Sequence, residues 1–118
     1  VKPPERNPLP DDRYGDTIRV MIGDTKVFVT INEYPDGTIG EIFVAIGKEG
    51  GIMRIYDAFF TSISIGLQYG IPLHVFVDKF RFQAMKPDGF TDNALIPNAK
   101  SVIDFVFRLI EIKYVGKD

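Results

Sequence analysis

The strongest constraint on this chain is a change of hydrophobic rhythm near its middle. From Thr17 the apolar residues fall at every second position: Ile18, Val20 and Ile22, then Val27, Val29 and Ile31, then Ile42, Val44 and Ile46. Alternation carried by β-branched residues marks strands with one buried face. Gly23-Asp24 and Pro35-Asp36-Gly37 supply turns between the three runs. After Gly51 the spacing becomes helical, with Met53, Tyr56, Phe59, Phe60, Ile63 and Leu67 at steps of three and four. Gly70 followed by Ile71-Pro72 stops that helix. A chain with this order must lay helices on one face of an antiparallel meander.

The expected fold is therefore α+β. A three-stranded antiparallel sheet spans about 17–47, long helices span about 52–69 and 98–113, and a short helix opened by Pro72 spans about 72–80. Asn98 is the expected cap of the last helix, whose buried stripe is Val102, Phe105, Val106, Leu109 and Ile110. The segment between Lys86 and Pro97 reads as a turn and loop. Residues 1–15 hold four of the eight prolines, so they read as an extended arm before a single domain over 16–118. Order in such an arm requires a surface to pack against, such as a second subunit. Phe59-Phe60 and Phe105 to Phe107 exceed what one sheet face covers, and a homodimer or higher homo-oligomer is expected.

Composition excludes several chemistries. There is no cysteine among the 118 residues, which removes thiol catalysis, thiolate metal sites and iron–sulfur clusters from this chain. The single histidine, His74, has no second histidine for a zinc site and no evident serine partner. The formal charge of −2, from 14 basic and 16 acidic residues, is not the clustered basic excess of nonspecific nucleic-acid binding. No apolar run is long enough for a membrane span, and the first residues lack the apolar segment of a signal peptide. A cytoplasmic setting, a chain that is not an enzyme by itself, and no cofactor are expected.

Several residues suit a ligand. The glycine-rich Lys48-Glu49-Gly50-Gly51 run before a helix offers free N–H groups and a cation, making Lys48, Gly50 and Gly51 a possible anion site; a flexible connection explains the same glycines. Arg54 stands in a first helical turn, where the helix dipole disfavours a cation unless an anion is near. Arg108 lies in an apolar helix, either clamping a phosphate or carboxylate or pairing with Asp104 one turn earlier. Phe82, Met85, Phe90 and Asn93 follow the short helix; a ring that stacks and an amide that reads a base edge make a minimal nucleotide pocket, although loop anchors use the same residue types. The hydroxyls of Tyr56, Thr61, Ser62 and Ser64 and the carboxylates of Asp88 and Asp92 have ordinary structural readings.

Four blocks carry a resemblance: "EYPDGTIGEIFVAIGKEGG", "DAFFTSISIGLQYGIPLHVFVDKF", "KPDGFTDN" and "AKSVIDFVFRLI". In this order and spacing, over about residues 8–113 and including the "PLPDDR" lead-in, they resemble the C-terminal domain of adenosylcobalamin-dependent ribonucleotide reductases, the TSCPD type. The resemblance implies that radical chemistry, cobalamin site and active-site cysteines belong to a large barrel upstream, outside this sequence. The name-giving cysteine motif is replaced by Met85-Lys86-Pro87-Asp88-Gly89-Phe90-Thr91, and no cysteine-rich tail follows Asp118. These departures suggest a detached, repurposed domain or a separated fragment. In architecture the chain is also similar to the Thoeris anti-defence sponges of phages, which hold cyclic ADP-ribose-type signals between subunits without cleaving them.

Two functions follow as expectations. One is capture of a nucleotide-type ligand, such as a cyclic ADP-ribose-like signal, in an inter-subunit pocket; there Arg54 and Arg108 hold phosphates, Phe82 stacks on the base and Asn93 reads it. The host cytoplasm is the setting if the chain is phage-encoded. The other is an accessory part of an adenosylcobalamin-dependent ribonucleotide reductase, with the reductase large subunit as partner.

Overall fold

A computed structural model describes residues 4–47 and 51–114. The expected α+β fold is present. Strands β1 (Tyr14–Ile22), β2 (Thr25–Glu33) and β3 (Ile39–Ile46) form an antiparallel meander in that order. Helices α1 (Gly51–Gln68) and α2 (Leu73–Phe80) follow, then a two-stranded pair, β4 (Gly89–Phe90) with β5 (Asn98–Ala99), then α3 (Val102–Lys113).

Register follows the buried face. Val20 pairs with Val27, Val29 with Val44, and Ile31 with Ile42, so the alternating aliphatics stack in rows across the sheet. All six are buried, together with Phe60, Phe105, Val106, Leu109 and Ile110 from the helices. The opposite sheet face carries Arg19, Phe28 and Ala45 in one row and Thr17, Thr30 and Phe43 in the next, and Phe28 and Phe43 are partly exposed there.

Strand β3 lies at the sheet edge, where unpaired backbone groups invite foreign strands. Helix α1 runs alongside and occupies those groups. Ile46 N–H donates to Met53 Sδ (3.2 Å), Ile42 N–H to Ser64 Oγ (2.9 Å), and Gln68 Nε2 donates to Gly40 O (3.0 Å). The Ser64 hydroxyl thus serves the neighbouring strand while donating to Phe60 O within its own helix (2.8 Å). The α1 terminus is a Schellman cap: Ile71 N–H donates to Gly66 O, Gly70 N–H to Leu67 O, and Gly70 takes φ 97°.

One expectation needs correction. Asn98 does not cap the last helix, because its backbone pairs with Phe90 in the β4–β5 ladder. Ser101 is the cap, its Oγ accepting from Asp104 N–H at 2.9 Å, and the helix starts at Val102. The proline-rich arm needs no second subunit: Leu9 is buried, Asn7 N–H donates to Gln68 O (2.9 Å), and Arg6 Nε donates to Gln68 Oε1 (2.6 Å). Gly40 makes room for it, since a Cβ there would sit 2.6 Å from Leu9 Cδ1. The phenylalanine surplus is likewise absorbed inside the chain. Phe59 meets Phe60 and Phe80 edge-on at 5.0 Å each, and Phe80 lies 5.5 Å from Phe107, so α2 closes the helical layer.

Candidate functional site

The site grows from one buried carboxylate. Asp104, in the first turn of α3, is fully buried. Its Oδ2 accepts from Lys100 N–H (2.8 Å) and Arg108 Nη1 (3.3 Å), and its Oδ1 accepts from Phe82 N–H (2.6 Å). The last bond reaches the segment after α2 and turns it: Phe82 has φ 65°, the one non-glycine residue with positive φ among the described residues. The left-handed region costs a residue with a Cβ about 1–2 kcal/mol. Ser101 Oγ donating to Gln83 O, and Met85 N–H donating to Lys100 O (3.0 Å), hold the same segment against the start of α3.

This anchoring presents the Phe82 ring outward, 52% of the residue being exposed. Three cations surround it. Arg108 Cζ lies 5.5 Å from the ring centroid, Arg81 Cζ 5.6 Å and Lys100 Nζ 5.7 Å, all within cation–π range. Both guanidinium groups are oriented from behind. Arg81 pairs with Glu111 and lies 3.7 Å from Asp78, while Arg108 Nη1 also donates to Asn98 O (2.7 Å). Lys100 has no ion pair among the described residues. The arrangement offers several N–H donors, clustered about a partly exposed aromatic residue, to a planar, anionic group.

Of the residues singled out from sequence, Phe82 and Arg108 meet directly, and Met85 stands at the flank through Lys100. The alternative reading of Arg108, a pair with Asp104, holds at the same time. Arg54 is elsewhere, lining a groove of about 360 Å³ with Phe28, Phe43, Met53 and Asp57 at the β3 edge. Phe90 is exposed on β4, its backbone engaged by Asn98 and by Gly23 N–H. Asn93 closes a local turn, its Oδ1 accepting from Leu95 N–H (3.0 Å), and its hydrogen bonds stay within residues 91–96. Lys48 and Gly50 lie outside the described residues, and Gly51 is the first residue of α1.

Arg81 and Lys100 were missed by sequence reasoning. Arg81 adjoins Phe82, but chain adjacency does not reveal which face of a ring a side chain meets. Lys100 is eighteen residues away and arrives only through the Asp104 and Met85 bonds.

Other polar groups take structural roles. Asp92 Oδ1 accepts from Met21 N–H (2.8 Å) on the outer edge of β1, and Asp88 pairs with Lys86 (2.8 Å), so the two carboxylates form no catalytic pair. His74 is exposed and 3.9 Å from Asp78. Among the described residues no cluster of three or more His, Asp or Glu side chains is placed to hold a metal, and no helix is long and apolar enough to cross a membrane. Tyr114 donates to Glu33 Oε2 (2.6 Å); burial foremost, then that hydrogen bond, raises its phenol well above the usual tyrosine value. A larger groove of about 670 Å³ runs between the arm and the β2–β3 turn, lined by Asn7, Pro10, Tyr34 and Gln68 among others.

Comparison with known proteins gives one consistent result. Residues 2–114 match the TSCPD domain. A vitamin B12-dependent ribonucleotide reductase of Agrobacterium fabrum is 42% identical over 115 residues, which is 96% of this chain and 9% of that protein. The protein of the same name from Rhodopirellula baltica is 40% identical over 98% of this chain and 11% of its own length. That of Streptantibioticus cattleyicolor is 36% identical over 95% of this chain and 19% of its own. The chain thus spans a fifth or less of these relatives. No solved structure matches it.

Proposed function

The chain belongs to the TSCPD domain family, and on that premise we propose that it serves as an accessory, non-catalytic domain of a vitamin B12-dependent ribonucleotide reductase, acting in the cytoplasm on assembly or turnover of the enzyme. One observation carries this reading: identity of 36–42% to reductases of that name extends over at least 95% of this chain. The sequence itself supplies no cysteine and one histidine, so the radical and thiol steps of such an enzyme fall to the much longer remainder. The domain contributes surfaces. These are the outer sheet face with the partly exposed Phe28 and Phe43, and the ring of cations about Phe82.

The reading is tested by association in trans. The Agrobacterium fabrum reductase, with its matching segment deleted, is mixed with this chain and examined by sedimentation velocity. A stable complex is expected; two independently sedimenting species, at concentrations of tens of micromolar, overturn it.

A second reading, capture of a nucleotide-type ligand of the kind a signal sponge sequesters, has one observation in its favour. Phe82 and Arg108, selected from sequence for stacking and phosphate binding, lie side by side. The fuller version, an inter-subunit pocket with Arg54, Phe90 and Asn93, draws no support from the geometry, and the relatives are reductases, not sponges. Under this reading the chain binds a nucleotide whether or not it also docks on a reductase.

A further inference from the structure

We propose that the Phe82 ring, together with Lys100, Arg81 and Arg108, forms a nucleoside-phosphate site on the surface of a single chain. The proposal deepens the second reading above. It places the ligand away from Arg54 and Asn93 and adds Arg81 and Lys100 as binding residues.

The backbone supplies the first argument. Glycine or asparagine takes φ 65° more readily than phenylalanine does. Burial in the core does not explain the residue either, because it is 52% exposed. A residue that suits neither its backbone nor a core position has a reason outside the fold. Its conformation is nonetheless enforced, by the bond from its N–H to buried Asp104.

Charge supplies the second. Three cations converge within 5.7 Å of one ring centroid. Ring faces attract cations, but three together repel one another, and only the two arginines have carboxylate partners among the described residues. An anion placed beside the ring relieves that repulsion. Glu111 and Asp104 fix the two guanidinium groups, so little ordering is lost when such an anion arrives.

The ligand class follows from needing both features. An inorganic anion uses the cations and leaves the ring idle, while an apolar ligand uses the ring and leaves the cations idle. A nucleoside phosphate stacks its base on the ring or on a guanidinium plane and sets its phosphates among Lys100, Arg81 and Arg108.

The test is titration of the ¹⁵N-labelled chain with ATP, with adenosine and inorganic pyrophosphate as separate arms, followed by chemical shifts and thermal melting. ATP is expected to shift the amides of Phe82, Gln83 and Lys100, and to bind more tightly than either part alone. Phe82→Gly should weaken ATP binding about tenfold, the usual scale of one lost stacking contact, while the melting temperature stays level or rises because glycine accepts the positive φ. Lys100→Ala should weaken it as well with the fold intact. ATP binding that survives both substitutions puts the nucleotide elsewhere and overturns this site, leaving the broader nucleotide reading in place. Pyrophosphate binding as well as ATP does removes the ring from the site and overturns it too. No shift with ATP at millimolar concentration overturns both.

Discussion

Asp104 is the residue on which the local architecture turns. It is fully buried and accepts from two backbone N–H groups and from Arg108. Replacing it with alanine leaves those donors without an acceptor, at a cost of about 3 kcal/mol. Urea denaturation of Asp104→Ala should register that loss, and Asp104→Asn, which keeps an acceptor, should lose less. A cost below about 1 kcal/mol would mean that water replaces the carboxylate freely. Arg108 was expected either to clamp an anion or to pair with Asp104, and the structure gives it the pair while leaving it beside Phe82. Sequence spacing reveals an i, i+4 partner; it does not reveal a ring brought in by another segment.

Tyr114 makes a pH-dependent contribution at the same scale. Its phenol ionises above the ordinary value because it is partly buried and donates to Glu33. A folded-state value above the unfolded one means that its stabilisation is complete below about pH 10. That contribution is lost as pH rises from there through the folded-state value. Tyr114→Phe should therefore cost about 1 kcal/mol near neutral pH, and the gap from the parent should narrow above pH 10. A gap that stays constant across that range would assign the whole effect to packing.

Elements were read from sequence with uneven success, and the reason is physical. The strands were plain because a one-residue slip would expose every aliphatic of the inner face. Helix α1 and its glycine stop were plain because apolar spacing and cap chemistry are both local. The start of α3 was misplaced by four residues because Asn98 has cap chemistry, yet its backbone is taken by Phe90, a pairing that no local pattern announces. Leu9 looked like part of a free arm because its seat, the space above Gly40, exists only once β3 and α1 are in place. The use of α1 as an edge cover was equally invisible, since Ser64 on a helix ordinarily bonds only its own preceding turn. Ser64→Ala should leave Ile42 N–H unpaired beside the helix and cost about 1–2 kcal/mol. Hydrogen exchange at that amide should accelerate well beyond the change at Val29 on the central strand; equal acceleration at both would deny the local role.

At the scale of the whole molecule, the phenylalanines that suggested self-association pack largely within the chain. Phe60, Phe105 and Phe107 are fully buried and Phe59 is covered by Phe80, so these rings are accommodated within one chain. Apolar residues exposed among the described ones include Phe28 and Phe43 on the outer sheet face, each more than one-third exposed, Ile55, Val75 and Ile112 on the helices, and the cation-ringed Phe82. Under the proposed function, a domain that spans a fifth or less of its reductase relatives acts through such surfaces. The most direct measurement is the turnover of a chimera in which this chain replaces the matching segment of the Agrobacterium fabrum reductase, compared with the parent enzyme and with a deletion of that segment. The account predicts that the deletion loses most of the activity and that the chimera recovers it to within about tenfold, a deficit of about 1.4 kcal/mol in the barrier. A deletion as active as the parent, or a chimera no better than the deletion, would contradict it.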